Sequence, residues 1–401
     1  MSQSNAILEG DLLSILPTLP DNHYDAVLSD PPYHLTQNSR GGSGRKGKSG
    51  TLSGRLALGT AKGFMGQIWD GGDVAFRPET WEAVMRVMKP GAYLMAFGGS
   101  RTFHRLAVAL EDAGFILVDT LMWVYGSGFP KSTNISKAID KKKGNRRETI
   151  GVRKHPTLKN PELLEEPAHA AHGGNGWRRE WELTAPACPD SKTWTGYGTA
   201  LKPAYEPILL CRKPGEKTYA ANALKWGCGA LNIDGCRIQS EPPHHNYGRT
   251  SGSGAWAGKS DIPFITPDSG RWPANVLFDE AGAKILDAQA AAGRFFYVTK
   301  VSTRERQAGM GDLVNDHPTM KPIDLTRQLA TLLLPPARHE GEQRRLLVPF
   351  SGAGSEMIGA LLAGWDVVTG VEQSAEYAGI ARERLAWWMG ENLMEHARSC
   401  P

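Results

Sequence analysis

Two glycines and an acid near the end of the chain have a spacing that could hold a nucleoside. Gly352 and Gly354 form a Gly-x-Gly turn after a predicted strand, and Glu372 ends the next strand, 18 residues after Gly354. Glycine lets the backbone approach a ligand closely, and the acid is placed to accept both ribose hydroxyls. A nicotinamide fingerprint would need Gly or Ala where Met357 stands, and no Walker lysine is present. The spacing predicts an adenosine-containing cofactor.

A second group of residues could activate an amine. Asp30, Pro31, Pro32 and Tyr33 follow a predicted buried strand, and the prolines place them at its carboxyl end, outside the ladder. The Asp30 carboxylate and the Pro31 carbonyl can accept the two N–H bonds of an amine and draw its nitrogen toward tetrahedral geometry. The Tyr33 ring offers a face on which a planar base can stack. This chemistry needs neither a metal nor a covalent enzyme intermediate.

Three segments of the chain resemble motifs of a known family. Residues 350–354, Phe-Ser-Gly-Ala-Gly, resemble motif I of the amino-methylating DNA methyltransferases, and residues 30–33 resemble their catalytic motif IV. His317-Pro-Thr-Met-Lys-Pro322 resembles their motif X. The order catalytic motif, insert, motif X, motif I is that of the β class, which is of bacterial and phage type.

The resemblance implies a fold, a cofactor and an activity. The fold is α/β, a Rossmann-like S-adenosylmethionine-dependent methyltransferase fold whose mostly parallel, doubly wound sheet is assembled from both chain ends around an irregular insert. The activity is methylation of the exocyclic amine of a base flipped out of DNA. The family usually has Asp at the position of Asp30 when it methylates adenine N6 and Ser when it methylates cytosine N4, so the resemblance favours adenine.

The resemblance also implies which residues bind S-adenosylmethionine. Phe350 packs on the cofactor, the glycines admit its amino-acid portion, and Glu372 holds the ribose. The family usually has Asp where Val348 stands, so the methionine ammonium lacks its usual acidic neighbour. The implied cofactor-binding residues are Asp11, Thr319, Lys321, Phe350, Ser351, Gly352, Gly354 and Glu372.

Basic residues are concentrated in two segments, although the net charge of +4 is mild. One segment is the Gly- and Ser-rich loop 34–68, which contains no acidic residue and follows the catalytic motif; the other is 141–154. Phosphate contacts give a DNA-binding protein its register. We therefore predict contacts to double-stranded DNA from Arg40, Arg45, Lys46, Lys48, Lys141, Lys142, Lys143, Arg146 and Arg147.

Alternating helix and strand patterns at both chain ends support a doubly wound sheet. Between residues 141 and 273 this regularity fails, and Pro and Gly are frequent. We therefore expect a catalytic half at 1–140, an inserted target-recognition region at 141–300 and a cofactor half at 301–401. The patterns predict strands at 25–30, 92–97, 115–124, 345–348 and 366–371, and helices at 78–88, 102–113, 322–334, 355–363 and 375–388.

Composition limits the class of protein. The 401 residues are 40% hydrophobic, which suffices for a large core, and neither a membrane span nor a signal peptide is expected. Five widely spaced cysteines fit free thiols in a reducing compartment, so a cytoplasmic location is expected. Cys228, Cys236, His244 and His245 fit no common zinc spacing, and no metal is expected.

The sequence is also compatible with other functions. The chemistry could act on cytosine N4 or on RNA, or the chain could be a non-catalytic DNA-binding protein on the same fold. A methyltransferase of this class could also work with a cognate restriction endonuclease or as a homodimer.

Overall fold

Short apolar strands from both ends of the chain meet in one nine-stranded sheet. The computed structural model describes residues 5–33, 73–126, 132–154, 180–238, 270–290, 292–293, 296–299, 305, 307–310, 320–338 and 341–390. These residues divide into two compact units, one formed by Met1–Ser127 with Tyr205–Pro401 and the other by Gly128–Ala204.

Eleven strands are present in the described part of the chain. They are β1 (Ala6–Glu9), β2 (Tyr24–Ser29), β3 (Met88–Phe97), β4 (Ile116–Val124), β5 (Thr149–Lys154), β6 (Glu180–Thr184), β7 (Tyr205–Arg212), β8 (Val276–Asp279), β9 (Tyr297–Thr299), β10 (Arg345–Pro349) and β11 (Val367–Glu372). In the large sheet their order is β1-β11-β10-β2-β3-β7-β4-β8-β9. Strands β5 and β6 form a separate antiparallel pair.

The large sheet is parallel except around β7, which runs antiparallel to both β3 and β4. Parallel strands require crossover connections, and helices supply several of them. The predicted α/β fold with a mostly parallel, doubly wound sheet is therefore confirmed. Because β10 lies between β11 and β2, the two chain ends share one sheet.

Ten helices lie in the described segments. They are α1 (Leu12–Ile15), α2 (Pro78–Val87), α3 (Phe103–Asp112), α4 (Ile135–Lys143), α5 (Pro189–Thr193), α6 (Tyr219–Trp226), α7 (Glu280–Ala290), α8 (Ile323–Leu333), α9 (Ser355–Ala363) and α10 (Ala375–Met389). None of them is both long enough and apolar enough to cross a membrane.

The central strands of the sheet are buried on both faces, to which successive side chains of each strand point in turn. Leu28 and Met95 belong to one apolar cluster with helices α8 and α9, whereas Val27 and Leu94 belong to a second cluster with α2 and α3. This explains why the central strands are continuous apolar runs. Burial of these side chains also holds each strand at a fixed position in the sheet, and so determines where its carboxyl end lies.

The second compact unit differs in extent from the segment 141–300 that is predicted as an insert. The second unit comprises only Gly128–Ala204, whereas β7, β8 and β9 belong to the large sheet. The physical reason is the apolar run of β7, whose residues 208–211 are buried between β3 and β4. The predicted boundaries at 140 and 300 therefore do not coincide with the compact units of the structure.

Within the second unit, one arginine ties a helix to the hairpin. Helix α4 begins after Asn134, which accepts a hydrogen bond from the Lys137 N–H at 2.9 Å, and it ends at Gly144 with φ of 71°. Arg147 Nη1 donates to the buried Asp140 carboxylate at 2.6 Å, and Arg147 Nε donates to Thr184 Oγ1 at 2.9 Å. The β5–β6 hairpin is thereby held to α4.

Candidate active site

The carboxyl ends of β2, β10 and β11 bring the two predicted motifs together. Ser29, the last residue of β2, donates from Oγ to the carbonyl oxygen of Pro349, the last residue of β10, at 3.1 Å across 320 positions of sequence. Asp30 and Phe350 follow these two residues directly. Parallel strands end at the same edge of a sheet, so the catalytic and cofactor segments lie side by side.

Asp30 is held by two donors. Its Oδ1 accepts from the Tyr33 hydroxyl at 2.8 Å, and its Oδ2 accepts from Lys321 Nζ at 2.6 Å. The Asp30 side chain is 15% exposed. Each carboxylate oxygen has two lone pairs, so Asp30 retains acceptor capacity for an incoming N–H group.

Lys321 is a buried cation between two carboxylates. Its Nζ lies 2.6 Å from Asp30 Oδ2 and 3.4 Å from Glu206 Oε2, and its side chain is 4% exposed. Burial disfavours the charged form, but Asp30 and Glu206 outweigh this effect and raise the pKa of Lys321 above its usual value. The ammonium also lies 4.9 Å from the Phe97 ring centroid. Lys321 therefore remains charged beside the catalytic motif.

Tyr33 and Glu206 complete the cluster. The Tyr33 hydroxyl lies 2.8 Å from Asp30 Oδ1 and 3.0 Å from Glu206 Oε2, and its ring centroid lies 5.1 Å from Lys321 Nζ. Burial and the two carboxylates raise the pKa of Tyr33 well above its usual value, so the phenol stays protonated. Thr102 Oγ1 donates to the Tyr33 carbonyl at 3.0 Å and fixes the backbone after Pro31 and Pro32.

Glu206 was not predicted from the sequence. It is the second residue of β7, and the antiparallel direction of that strand brings its beginning to the edge where β2 and β3 end. The Gly98 N–H donates to the Pro207 carbonyl at 2.9 Å just beyond the end of β3. The only sequence signal is the short apolar run 208–211 directly after a Tyr-Glu-Pro segment.

The turn from Phe350 to Gly354 has a backbone that favours glycine. Gly352 and Gly354 have φ of 50° and 80°, and Phe350 has φ of 57°, a conformation that costs a non-glycine residue about 1–2 kcal/mol. A Cβ on Gly354 would lie 3.1 Å from the Ala381 Cβ, so the turn packs directly against α10. The Ser351 N–H donates to the Val371 carbonyl at 2.9 Å and fixes the start of the turn beside β11.

Glu372 joins this turn to the next strand. One carboxylate oxygen accepts from the Gly352 N–H and the other from the Ser374 N–H, each at 2.8 Å. Burial raises the pKa of Glu372, while these backbone hydrogen bonds oppose the shift. Close by in the fold, the Gly10 N–H donates to the Glu372 carbonyl at 2.9 Å, and Asp11 caps α1 by accepting from the Ser14 N–H at 3.0 Å.

A second buried acid lies at the start of α9. Glu356 is 4% exposed; burial and the nearby Asp30 carboxylate raise its pKa, and Lys321 and Arg384 oppose the shift. Arg384 is fully buried and donates to the Ala353 carbonyl and to Ser355 Oγ, the latter at 3.4 Å. Glu356 was not predicted from the sequence, because it lies within a run of buried helix positions.

The other predicted site residues divide into described and undescribed ones. Lys141, Lys142 and Arg146 are exposed in the second unit, Lys143 pairs with Asp190, and the Arg147 guanidinium is engaged with Asp140 and Thr184. The engagement of Arg147 within its own unit gives it a structural role there. Thr319 and the four basic residues of the loop, Arg40, Arg45, Lys46 and Lys48, lie outside the described residues.

The residues around the glycine turn fit S-adenosylmethionine. The Ser351 hydroxyl is buried and has no hydrogen-bond partner among the described residues. Glu372 would offer a carboxylate to ribose hydroxyls, and Glu356 would offer negative charge to a cationic cofactor. The fold and this site define a Rossmann-like S-adenosylmethionine-dependent methyltransferase.

The chain belongs to the N6/N4 DNA methylase family, whose family model matches residues 24–383. S-adenosylmethionine is the cofactor of these enzymes. Among curated proteins, the chain is 23% identical over 249 residues to the type II methyltransferase M.HindIII of Haemophilus influenzae, covering 57% of this chain and 65% of that protein. The chain thus spans slightly less than two thirds of the length of this relative.

Solved structures of DNA methyltransferases also align with the chain. The cytosine-N4-specific PvuII DNA methyltransferase is 12% identical, with a TM-score of 0.48 over 99% of this chain and 93% of that one. A protein of Thermus thermophilus complexed with S-adenosyl-L-methionine is 15% identical, with a TM-score of 0.39 over 96% of this chain and 95% of that one.

Proposed function

We propose that the protein transfers a methyl group from S-adenosylmethionine to the N6 amine of adenine in double-stranded DNA. The observation that carries the proposal is the position of Asp30. Its carboxylate stands at the end of β2, directly beside the cofactor turn that follows β10, and the Ser29–Pro349 hydrogen bond holds the two segments together. An amine bound by Asp30 would therefore lie next to a cofactor bound by the turn.

The described residues of the site suit an attack by a weakly nucleophilic amine. The Asp30 carboxylate and the Pro31 carbonyl accept the two N–H bonds, which localises the nitrogen lone pair for reaction. Asp30, Glu206 and Lys321 together carry one net negative charge when both acids are ionised. This negative charge stabilises the positive charge that develops on the amine. When bound, S-adenosylmethionine supplies a methyl group activated by its positive sulfur.

The choice of adenine rests on the residue type at position 30. An Asp there is usual in adenine enzymes of the family that the sequence resembles, whereas cytosine N4 enzymes usually have Ser. The remaining site residues have binding roles in this proposal. Ser351, Gly352, Gly354 and Phe350 receive the methionine and adenosine portions, Glu372 the ribose, Asp11 the adenine, and Thr319 and Lys321 the methionine carboxylate.

We assign sequence-specific recognition of DNA to the unit Gly128–Ala204, together with the basic loop 34–68. The exposed lysines at the end of α4 supply positive charge for phosphates. A cognate restriction endonuclease, and a homodimer as the working form, are compatible with such an enzyme.

Nucleoside analysis tests the proposal. Purified protein is incubated with unmethylated genomic DNA and S-adenosylmethionine, and the digested DNA is examined by mass spectrometry and by sequencing that detects modified bases. N6-methyladenine in one sequence context is expected. N4-methylcytosine would overturn the choice of base and retain the chemistry, and methylation of RNA but not DNA would overturn the substrate. Cofactor binding without any methyl transfer would favour a non-catalytic DNA-binding protein.

A further inference from the structure

Four side chains, Asp30 among them, form a closed ring of polar contacts. Lys321 Nζ contacts both Asp30 Oδ2 and Glu206 Oε2, at 2.6 and 3.4 Å, and the Tyr33 hydroxyl lies between the same two carboxylates, at 2.8 Å from Asp30 and 3.0 Å from Glu206. A phenol has a single proton, so Tyr33 donates to one carboxylate at a time and can accept a proton from the other. The ring therefore contains a continuous hydrogen-bonded path from Asp30 to Glu206.

We propose that Glu206 is the final acceptor of the proton that the target amine loses during methyl transfer, and that the proton reaches it through Asp30 and the Tyr33 hydroxyl. This inference rests on the proposed function. Such a path removes the positive charge from the product amine and leaves Asp30 ionised for the next turnover. Glu206 thus acts on the amine only through Tyr33 and Asp30.

The transfer balances in atoms and charge. The amine nitrogen forms a bond to the methyl carbon with its lone pair, and the carbon–sulfur bond breaks with its electrons left on sulfur. As this bond forms, and in the same transition state, the nitrogen passes a proton to Asp30 Oδ1. Asp30 passes a proton to the Tyr33 oxygen while the Tyr33 hydroxyl proton passes to Glu206 Oε2. The net result is one proton moved from the amine to Glu206, with Asp30 and Tyr33 unchanged.

Exposure and charge identify Glu206 as the end of the path. The Glu206 side chain is 23% exposed, compared with 15% for Asp30 and 4% for Lys321, so it can release the proton to water. Lys321 is already an ammonium and can only donate. Tyr125 also faces Glu206, and burial together with that carboxylate raises its pKa to about 12, so it does not supply a competing base.

The test measures methyl transfer in a single turnover on a duplex that contains the target site. Glu206→Gln preserves the shape and an oxygen acceptor but not the basicity, and Tyr33→Phe preserves the ring but not the hydroxyl. Each substitution is expected to slow transfer by roughly 10²-fold, in the range of general acid–base effects. The double variant is expected to be no slower than the slower single variant, because both remove one path. Losses that multiply in the double variant, or a Glu206→Gln rate within about twofold of the wild type, would overturn the proposal.

Chemical rescue separates proton transfer from a structural role. In Glu206→Ala, added formate or acetate is expected to restore transfer by about tenfold or more, because a small carboxylate can take the place of the partly exposed Glu206 side chain. Absence of rescue in Glu206→Ala protein that still binds S-adenosylmethionine with wild-type affinity in calorimetry would contradict the inference.

A matched control comes from the opposite end of the same strand. Glu216 follows β7, and its carboxylate accepts from Lys225 Nζ at 2.7 Å and from Trp226 Nε1 at 3.1 Å. Glu216→Gln is expected to leave the single-turnover rate unchanged. The wild-type protein distinguishes the two proposals: no methyl transfer by the wild type contradicts the proposed function, whereas active wild type with unaffected Glu206 variants contradicts only the proton path.

Discussion

Asp30 and Glu372 both lie at the carboxyl edge of the sheet, but their hydrogen bonds differ in kind. Asp30 is held by side chains, Tyr33 and Lys321, whereas Glu372 is held by the backbone N–H groups of Gly352 and Ser374. Removing Asp30 therefore changes a polar cluster, and removing Glu372 changes the shape of the cofactor turn. This difference makes methyl transfer and cofactor binding separable by substitution.

Asp30→Ala is expected to abolish methyl transfer and to leave S-adenosylmethionine binding largely intact. The acceptor that activates the amine is removed, and a decrease of about 10³-fold or more is expected because the effect combines hydrogen bonding with charge. Single-turnover kinetics and calorimetry measure the two properties. Full activity of this variant would show that Asp30 does not contact the amine.

Glu372→Gln is expected to affect cofactor binding, which Asp30→Ala leaves largely intact. The substitution removes the charged acceptor of two backbone hydrogen bonds, so the affinity for S-adenosylmethionine is expected to fall by roughly 10- to 100-fold, the range for hydrogen bonds to charged groups. Calorimetry measures this affinity directly. Unchanged affinity would place the ribose elsewhere.

Glu356 is expected to make cofactor binding depend on pH. Burial and Asp30 raise the pKa of Glu356 to about 7, so its carboxyl is largely protonated below this value and charged above it. A cationic cofactor favours the charged form, so affinity should rise as the pH increases through this value and binding should release a proton. Such an acid would compensate for Val348, where the family that the sequence resembles usually has Asp.

Calorimetry in buffers of different ionisation enthalpy, about one pH unit on either side of that value, measures the proton release. In Glu356→Gln the pH dependence between these two conditions should disappear. An identical pH dependence in wild type and variant would assign it to another group.

At the scale of elements, the cofactor turn is the place where backbone conformation matters most. Gly354 has φ of 80°, and α10 leaves only 3.1 Å between the Ala381 Cβ and a Cβ placed on Gly354. Gly354→Ala is expected to destabilise the protein by about 1–2 kcal/mol through the left-handed conformation and to weaken cofactor binding further by displacing the turn. Thermal unfolding and calorimetry measure the two effects.

A glycine in the adjacent helix gives the matched control. Gly379 lies within α10, and a Cβ there would have no neighbour within 4 Å. Gly379→Ala is expected to stabilise the protein by about 0.5–1 kcal/mol, because alanine has the higher helix propensity. Equal destabilisation by both substitutions would mean that the left-handed turn is not the cause.

The elements also show why sequence patterns predicted the two ends of the chain better than its middle. The strands β2, β3, β10 and β11 are buried on both faces, and their apolar runs alternate with helices in regular order. The sequence thus predicts these strands and the helices α2, α3, α8, α9 and α10 to within a few residues. Strand β7 contains Pro207, lies among proline-rich segments and runs antiparallel, so no alternation indicated it.

The same cause explains why the sequence did not reveal Glu206. The residues around Asp30 and those of the glycine turn are each continuous in sequence, so their patterns can be recognised from the sequence alone. Glu206 acquires its role only from the direction of β7 in the folded sheet, and a single glutamate carries no pattern. Lys321 was predicted as a ligand of the methionine end through a resemblance, whereas its contact with Asp30 depends on segments 291 positions apart.

At the scale of the whole molecule, the smaller compact unit exposes positive charge on one helix. In the unit Gly128–Ala204, Lys141 and Lys142 are exposed at the carboxyl end of α4, where the helix dipole also stabilises positive charge. Within that unit Arg147 is engaged with Asp140, so the lysines are the better candidates for phosphate contacts.

Replacing both lysines by glutamate is expected to weaken DNA binding uniformly across sequences. The logarithm of the binding constant should also depend less steeply on the logarithm of salt concentration, by about 0.9 for each phosphate that is no longer neutralised. Lys192→Glu, an exposed lysine of the same unit on α5, serves as control and should change the slope less. Binding titrations at several salt concentrations measure the slope, and an unchanged slope in the double variant would remove α4 from the DNA contacts.

The placement of β10 between β2 and β11 has a consequence for biosynthesis. On the ribosome, β1 and β2 emerge first, but their neighbours in the sheet are β11 and β10, which emerge only after roughly 300 further residues. Until then, β2 lacks β10 as its neighbour on one side, and the turn from Phe350 to Gly354 is absent. A nascent chain that stops before residue 367 therefore lacks both Glu372 and the neighbour of β1, so the order of synthesis delays assembly of the proposed site.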